Sequence, residues 1–375
     1  MAEKNSFVLG VLTSDFMQLK TTDNIYLKDI ISNGIEQSLA LYNDRTLGLA
    51  NLLGKRFTQA NSNSKRIYSA DKFTRIGEIE TPGMRSELDV WNTPIPMERF
   101  GSLTGLTMER LVQMSSDDLV TFHNGKIIAD QANIVQNFFR VCLTKAPAGV
   151  VDCLDGMATE YKPFWNDEAS MDTPRPNGQI TFDGDHDHYN SVATANTVIA
   201  ADIDNKLLSE VREHEGMNNG VALALWAAPG TTFGYLEALD GYTAVVKTPE
   251  ILGSISPEYL KSGTAQALVT GMKNQAWNVN IKGTYSDAIC IESPDIPAGY
   301  ILCTANFGNN DDRNPLGWRE HPAFIGMNLQ SPSGGNPVIG LDAQYRRYLG
   351  LGIRNRSAGA VLYTVDTSWA EPSFV

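Results

Sequence analysis

The chain has 375 residues, of which 42% are hydrophobic and 19% charged, so it is long enough to bury a sizeable core and too apolar to be disordered. Thirty basic and 43 acidic side chains give a formal net charge of −13 at pH 7. Nucleic acids and anionic lipids repel so acidic a molecule, which argues against a general nucleic-acid-binding protein.

The cysteines and the apolar runs bear on where the protein works. The four cysteines are Cys142, Cys153, Cys290 and Cys303. Their wide spacing fits neither a disulfide framework nor a zinc site, so we expect buried free thiols in a reducing compartment.

The short apolar run at residues 7–12 does not fit a signal peptide. The longest other run, residues 221–228, is far below the ~20 residues of a membrane span, so we expect a soluble protein.

The N-terminal region is predicted to be helical. Apolar residues recur every four positions and predict a helix over residues 24–42. They are Leu27, Ile31, Ile35 and Leu39. A second apolar set, within residues 47–53, ends at Gly54, which predicts that the helical arm ends there.

Residues 55–100 differ from the rest of the chain because they are polar and carry eight basic against six acidic side chains. Pro82-Gly83 is a turn signal near the middle of this segment. The segment has no consistently apolar face, so it cannot build its own core. We predict a long, exposed hairpin that something outside the subunit holds in place.

A third region predicts the longest helix. Ser115 and Asp118 have the capping-box spacing, and apolar residues then recur every seven positions as far as Lys145. This repeat includes Val120, Ile127, Ile128, Ile134, Val135, Val141 and Cys142. A helix of roughly 29 residues at 1.5 Å each would span about 45 Å.

The second half of the chain mixes α and β signals. The polar, turn-rich residues 160–190 predict a boundary, and helices are predicted over 202–216 and from Ser256 towards Met272. Apolar, β-branched runs predict strands at residues 221–226, 242–246, 288–291, 300–304 and 345–365.

The strongest chemical cluster is Asp183, Asp185, His186, Asp187 and His188. On an extended strand these Asp and His side chains could hold a divalent ion. No third ligand is visible at a supporting distance, so a solvated acidic loop is favoured. The common hydrolase, zincin and dinucleotide motifs are missing. The basic residues Arg346, Arg347, Arg354 and Arg356 could contact phosphate, although salt bridges to an acidic surface fit the net charge better.

Three segments of the C-terminal third are more specific. Residues 288–302 read AICIESPDIPAGYIL, residues 313–322 read RNPLGWREHP, and residues 348–356 read YLGLGIRNR. Together with residues 358–365 they resemble successive segments of major capsid proteins of tailed double-stranded DNA bacteriophages, which have the Hong Kong 97-type fold. The similarity is greatest to head proteins of actinobacterial phages.

The resemblance implies an α+β fold with four parts. These are an N-terminal arm at 1–54, an extended loop at 55–100, a peripheral domain with a long spine helix at 101–194 and 336–375, and an axial domain at 195–335. It also implies a non-enzymatic protein without a cofactor or bound metal. Such a protein assembles into hexamers and pentamers of an icosahedral shell around phage DNA.

The implied partners are other copies of the chain, portal, scaffolding and decoration proteins, and packaged DNA bound without sequence specificity, but no membrane. The implied location is the virion capsid, assembled in the host cytoplasm. The candidate contacts between subunits are Lys72, Arg75, Glu78, Arg85, Trp91, Arg99, Arg346 and Arg347. Two alternatives stay open, an encapsulin-like shell and a metal-dependent hydrolase built on the Asp/His cluster.

Overall fold

A computed structural model describes most of the chain. The described residues are 8–9, 20–30, 34–59, 61–67, 88–106, 108–146, 149–166, 187–215, 222–244, 280–308, 310–330 and 341–374. Within them the helices are α1 (Leu27–Ile30), α2 (Glu36–Leu53), α3 (Met108–Gln113), α4 (Ser116–Leu143), α5 (Ala200–Ile203), α6 (Ser209–Glu215) and α7 (Thr231–Glu237).

The strands form two large mixed sheets and two short hairpins. They are β1 (Val8–Leu9), β2 (Gly54–Phe57), β3 (Asn61–Ile67), β4 (Leu88–Pro94), β5 (Glu98–Leu106), β6 (Val150–Val151), β7 (Ala158–Thr159), β8 (Tyr189–Ser191), β9 (Ala222–Ala227), β10 (Tyr242–Ala244), β11 (Asn280–Tyr285), β12 (Ala288–Glu292), β13 (Tyr300–Asn306), β14 (Leu316–Arg319), β15 (Met327–Gln330), β16 (Leu341–Ile353) and β17 (Gly359–Tyr363). This mixture of helices and mixed sheets confirms the α+β prediction.

The predicted long helix is α4, and its 28 residues match the predicted length closely. The Ser115 side chain accepts a hydrogen bond from the Asp118 backbone N–H, and the Asp118 carboxylate accepts one from the Ser115 backbone N–H, so the capping box is confirmed. The C-terminal half of α4 is buried. The apolar repeat is only partly a core stripe, because Val120 and Ile128 in the N-terminal half are exposed.

The other helix predictions had mixed outcomes. The N-terminal arm contains two helices, α1 and α2, and the second ends at Leu53 as the Gly54 signal predicted. The helix predicted over 202–216 consists of α5, a π-helical turn at Asp204–Leu208 and α6. The helix predicted from Ser256 lies outside the described residues. None of the helices in the described ranges has the length and apolar character of a membrane span.

The seven-stranded sheet has the order β10-β11-β12-β9-β13-β17-β8 and is covered on both faces. Alternate residues of β9 point to opposite sides, so Trp226 joins the cluster around α4 while Leu225 joins the cluster around α5 and α6. Phe138 and Phe139 of α4 meet the Trp226 ring edge to face, at 6.1 and 6.0 Å between centroids. Burial on both faces explains why these strands are continuously apolar in sequence.

The six-stranded sheet has β16 at its centre. β16 pairs with β5, β14 and β15, while β2 extends the sheet beyond β14 and β1 beyond β15. The chain passes from one sheet to the other and back. After β13, the strands β14 and β15 pair with β16 in the six-stranded sheet, and β17 then returns to pair with β13 in the seven-stranded sheet. The predicted bounds of the peripheral and axial domains stay a prediction.

Candidate assembly surface

Within residues 55–100, β3 and β4 form a hairpin that is separate from the two large sheets. β3 and β4 pair antiparallel from Asn61 opposite Pro94 to Ile67 opposite Leu88, and in the described ranges they pair only with each other. Residues 68–87, which connect the two strands, lie outside the described residues. An antiparallel pair agrees with the hairpin predicted within residues 55–100, but the two ends of that segment belong to the six-stranded sheet as β2 and the start of β5. Its exposure and its contact outside the subunit stay predictions.

The base of this hairpin is fixed in the core. Ile95 and Met97, which follow β4, are fully buried. Ile95 lies on the backbones of Gly317 and Gly352, where a Cβ on either glycine would overlap its side chain. The chain that follows β4 is therefore closely packed in the interior of the subunit.

The predicted contact residues fall into three groups. Lys72, Arg75, Glu78 and Arg85 lie outside the described residues, and Trp91 lies in β4 opposite Ser64. Arg99 is exposed on β5, and Arg346 of β16 donates from Nε to Gln344 at 2.8 Å.

Arg347 does not belong with these surface residues, although it was predicted as a contact. Its side chain is 1% exposed and forms a salt bridge with Asp130 of α4 at 2.7 Å. Glu320 lies 3.7 Å away on the other side. Burial by itself lowers the pKa of Arg347, but the nearby carboxylates outweigh it and raise the pKa. Arg347 therefore joins elements of its own subunit.

The N-terminal arm is tied to the start of α4. Thr22 donates its backbone N–H to the Met114 carbonyl at 3.1 Å, and the Asp23 carboxylate accepts hydrogen bonds from the Ser116 backbone and hydroxyl. The Ser116 hydroxyl, followed by that of Thr21, lowers the pKa of Asp23 to about 2. The arm thus adds a second cap to α4.

A buried histidine joins the arm to both α4 and the sheet. His123 of α4 lies 2.6 Å from the Ser38 hydroxyl of α2 and 2.9 Å from the Tyr345 hydroxyl of β16. Burial lowers the pKa of His123 to about 4. Nearby, Tyr42 of α2 donates to Asp130 at 2.9 Å. Three elements are therefore connected through buried and partly buried polar groups.

Large apolar side chains stay exposed on the single subunit. They are Ile25, Tyr26, Leu41, Val112, Val120, Ile128, Val151, Leu154, Met157, Ile199 and Val365. Three of them, Val151, Leu154 and Met157, lie within seven residues of each other on the β6–β7 hairpin. This clustering makes the hairpin a candidate surface for protein contact.

The Asp/His cluster is only partly described, since Asp183, Asp185 and His186 lie outside the described residues. Asp187 forms a salt bridge with Lys145, and His188 donates from Nδ1 to the Gly359 carbonyl at 2.7 Å. Across the described ranges, no group of three or more His, Cys, Asp or Glu side chains is arranged to hold a metal ion.

All four cysteines are free thiols, and Cys142, Cys290 and Cys303 are buried as predicted. The prediction was wrong for Cys153, which is exposed because it lies in the turn of the β6–β7 hairpin.

The overall arrangement is shared with a solved phage protein. A chain of Mycobacterium phage Patience superposes with a TM-score of 0.62 and 19% sequence identity, covering 97% of this chain and 94% of the other. The chain has the Hong Kong 97-type capsid fold. The predicted spine helix coincides with α4, and the segment predicted as the extended loop contains the β3–β4 hairpin; the roles of these two elements in a shell stay a prediction.

Two further solved structures are similar at a lower level. One is from Gordonia phage Cozz, with a TM-score of 0.45 and 12% identity, covering 84% of this chain and 86% of the other. The other is the SrpI encapsulin of Synechococcus elongatus, with a TM-score of 0.44 and 10% identity, covering 87% and 90%. No protein-family model and no curated protein matches the sequence.

Sequence reasoning missed two features of this surface. The β6–β7 hairpin was missed because its two-residue strands give no periodic signal. Arg347 is buried although the sequence predicts a surface contact, because a basic doublet on a strand does not reveal which member points inward. Strict alternation along β16, with Tyr345, Arg347 and Leu349 on one side, was the available signal.

Proposed function

We propose that the chain is a major capsid protein, whose copies assemble into the hexamers and pentamers of an icosahedral shell that encloses phage double-stranded DNA. The observation that carries this proposal is the capsid fold, shared over nearly the whole length of both chains with a protein of Mycobacterium phage Patience. The protein acts by assembly and without catalysis, a bound metal or a cofactor.

The surface of the subunit supports assembly. Exposed apolar side chains lie on the arm, on the spine helix and on the β6–β7 hairpin. A soluble monomer rarely keeps such clusters in water, whereas neighbouring copies in a shell would bury them. The extended loop adds contact area that an isolated subunit cannot use.

The charge of the chain suits a DNA container. A net charge of −13 disfavours tight binding of the packaged genome, so the DNA can enter and leave without being held by the wall. The basic extended loop on an acidic body favours contact with a neighbouring copy. We propose Lys72, Arg75, Glu78, Arg85, Trp91, Arg99 and Arg346 as residues of that contact.

In this proposal portal, scaffolding and decoration proteins complete the particle, which assembles in the host cytoplasm and becomes the virion capsid. Expression of the chain alone tests the proposal by size-exclusion chromatography and negative-stain electron microscopy. We expect closed particles of uniform diameter. A concentrated preparation that stays monomeric, with residues 55–100 resistant to protease, would contradict it.

The contents of the particle separate the two shell functions. Particles isolated from cells that produce the complete phage should contain double-stranded DNA that is protected from nuclease. Particles that hold a protein cargo and no DNA would instead identify an encapsulin-like compartment.

A further inference from the structure

The β6–β7 hairpin, residues 150–159, presents a rigid apolar tip. Val151, Leu154 and Met157 are 60%, 43% and 67% exposed. Exposed Asp155 lies between the last two and accepts a hydrogen bond from the Met157 N–H at 2.8 Å. The tip therefore combines apolar side chains with a negative charge.

A buried carboxylate anchors the turn of this hairpin to the rest of the subunit. Asp152 accepts hydrogen bonds from the Leu154 N–H at 2.8 Å and the Met97 N–H at 3.1 Å, and it forms a salt bridge with Arg319. The Cys153 N–H donates to the Met97 carbonyl at 2.8 Å. A loop fixed in this way loses little conformational entropy when it binds, which favours contact through its tip.

A groove whose charge is opposite to that of the tip lies beside α4, and we call it the spine groove. It is a cavity of about 250 Å³ between α4, the start of β5 and the middle of β16. Phe100, Ala129 and Met327 supply apolar walls, and Lys126 and Arg346 supply positive charge. The Asp130 carboxylate also lines the cavity, but it is paired with Arg347 at 2.7 Å, so the net charge of the lining is positive. Lys126 donates to the Ser102 hydroxyl at 2.8 Å, which holds its ammonium group at the groove.

We propose that the tip of the 150–159 hairpin of one copy docks into the spine groove of a second copy. The apolar side chains of Leu154 and Met157 fill the cavity, and Asp155 lies beside Lys126. The match in polarity and charge selects this occupant. The inference rests on the proposed function, because a shell brings many copies together.

The proposed contact joins two different surfaces, so it is heterologous. A heterologous contact repeated from copy to copy closes into a ring when the rotation fits. The contact between tip and groove would in this way help to fix the arrangement of the subunits in the ring of a hexamer or pentamer.

The exposed Cys153 allows a direct test in assembled particles. The Ala129→Cys variant places a thiol in the groove on an exposed, small residue. Particles of this variant are treated with copper phenanthroline and dioxygen, which oxidise neighbouring thiols to disulfides, and are analysed on a non-reducing gel. We expect a ladder of linked subunits that disappears when Cys153→Ser is added.

The matched control is Asn124→Cys, which lies exposed on the opposite face of the same helix and should give no ladder. Particles that form normally while Ala129→Cys gives no more cross-linking than the control would overturn the docking. Cross-links between two Cys153 thiols in the parent particle would also overturn it. The proposed self-assembly would stand in both cases, because the particles form without this contact.

A second variant covers the case in which Ala129→Cys forms no particles. Met157→Asp should raise the protein concentration needed for assembly at least tenfold, because it removes the apolar side chain that packs against the walls formed by Phe100, Ala129 and Met327. Met157→Leu should assemble as the parent does. Equal assembly by the Asp and Leu variants would overturn the proposal, provided that both monomers are folded by circular dichroism.

Discussion

At the scale of single residues, His123 makes the stability of the subunit depend on pH. Burial lowers its pKa from 6.5 to about 4, so between these values only the unfolded chain binds the proton. The stability contributed by the neutral ring is complete above pH 6.5 and is lost as the pH falls through about 4. The shift corresponds to an effect on the order of 3 kcal/mol.

His123→Gln tests this, because glutamine can hydrogen-bond to Ser38 and Tyr345 but does not titrate. Urea unfolding of dilute, unassembled subunits should show the parent to be more stable at pH 7.5. The difference should shrink steadily from pH 6.5 to 4. A difference that stays constant over this range would show that the ring of His123 does not control the acid response.

The buried pair of Asp152 and Arg319 gives a second prediction at this scale. Burial tends to raise the pKa of Asp152, but hydrogen bonds from Leu154, Arg319 and Met97 outweigh it and lower the pKa, so the carboxylate is charged at neutral pH. Asp152→Asn leaves the Arg319 charge uncompensated and should cost about 3–5 kcal/mol of unfolding free energy in urea. Asp155→Asn, at the exposed tip, should cost less than about 1 kcal/mol. Equal losses would refute the anchoring role.

At the scale of elements, replacing each of two glycines by alanine should change the stability of the subunit in opposite directions. Gly125 lies within α4 and has open space where a Cβ would be, so Gly125→Ala should stabilise the subunit by about 0.5–1 kcal/mol. Gly359 begins β17, where a Cβ would overlap the Phe164 ring, so Gly359→Ala should destabilise it by about 1–3 kcal/mol. Thermal unfolding midpoints should move up and down respectively. A lower midpoint for Gly125→Ala would contradict this description of α4.

The elements also show where sequence reasoning succeeds. The capping box at Ser115 and the apolar repeat fixed α4 nearly to its ends because both signals are local. The pairing of strands was not predictable in this way, since β17 pairs in parallel with β8 through Val361 opposite Tyr189. Contacts between residues so far apart in sequence depend on the packing of the whole core, and single-sequence patterns do not contain that information.

At the scale of the whole molecule, the sequence predicted a hairpin within residues 55–100, but it predicted neither the 150–159 hairpin nor the spine groove that we propose receives it. Polarity and the absence of an apolar face were enough to predict the hairpin of residues 55–100. The spine groove combines Phe100, Lys126, Met327 and Arg346 from four separate elements, so no local pattern could reveal it. The resemblance of the C-terminal segments supplied the fold because their order along the chain is specific.

The last prediction separates folding from assembly. Within the described ranges β3 and β4 pair only with each other, and in the proposed capsid the residues that connect them contact a neighbouring copy and not the core of their own subunit. Replacing residues 68–87 by a short Asn-Gly turn should therefore leave the circular dichroism spectrum and the thermal midpoint of the monomer close to those of the parent. It should abolish particles in electron microscopy, because the neighbouring copy loses its contact with the loop. Gly125→Ala, which changes stability without changing the loop, should still assemble. Normal shells from the shortened chain would show that the extended loop is dispensable for closing the capsid.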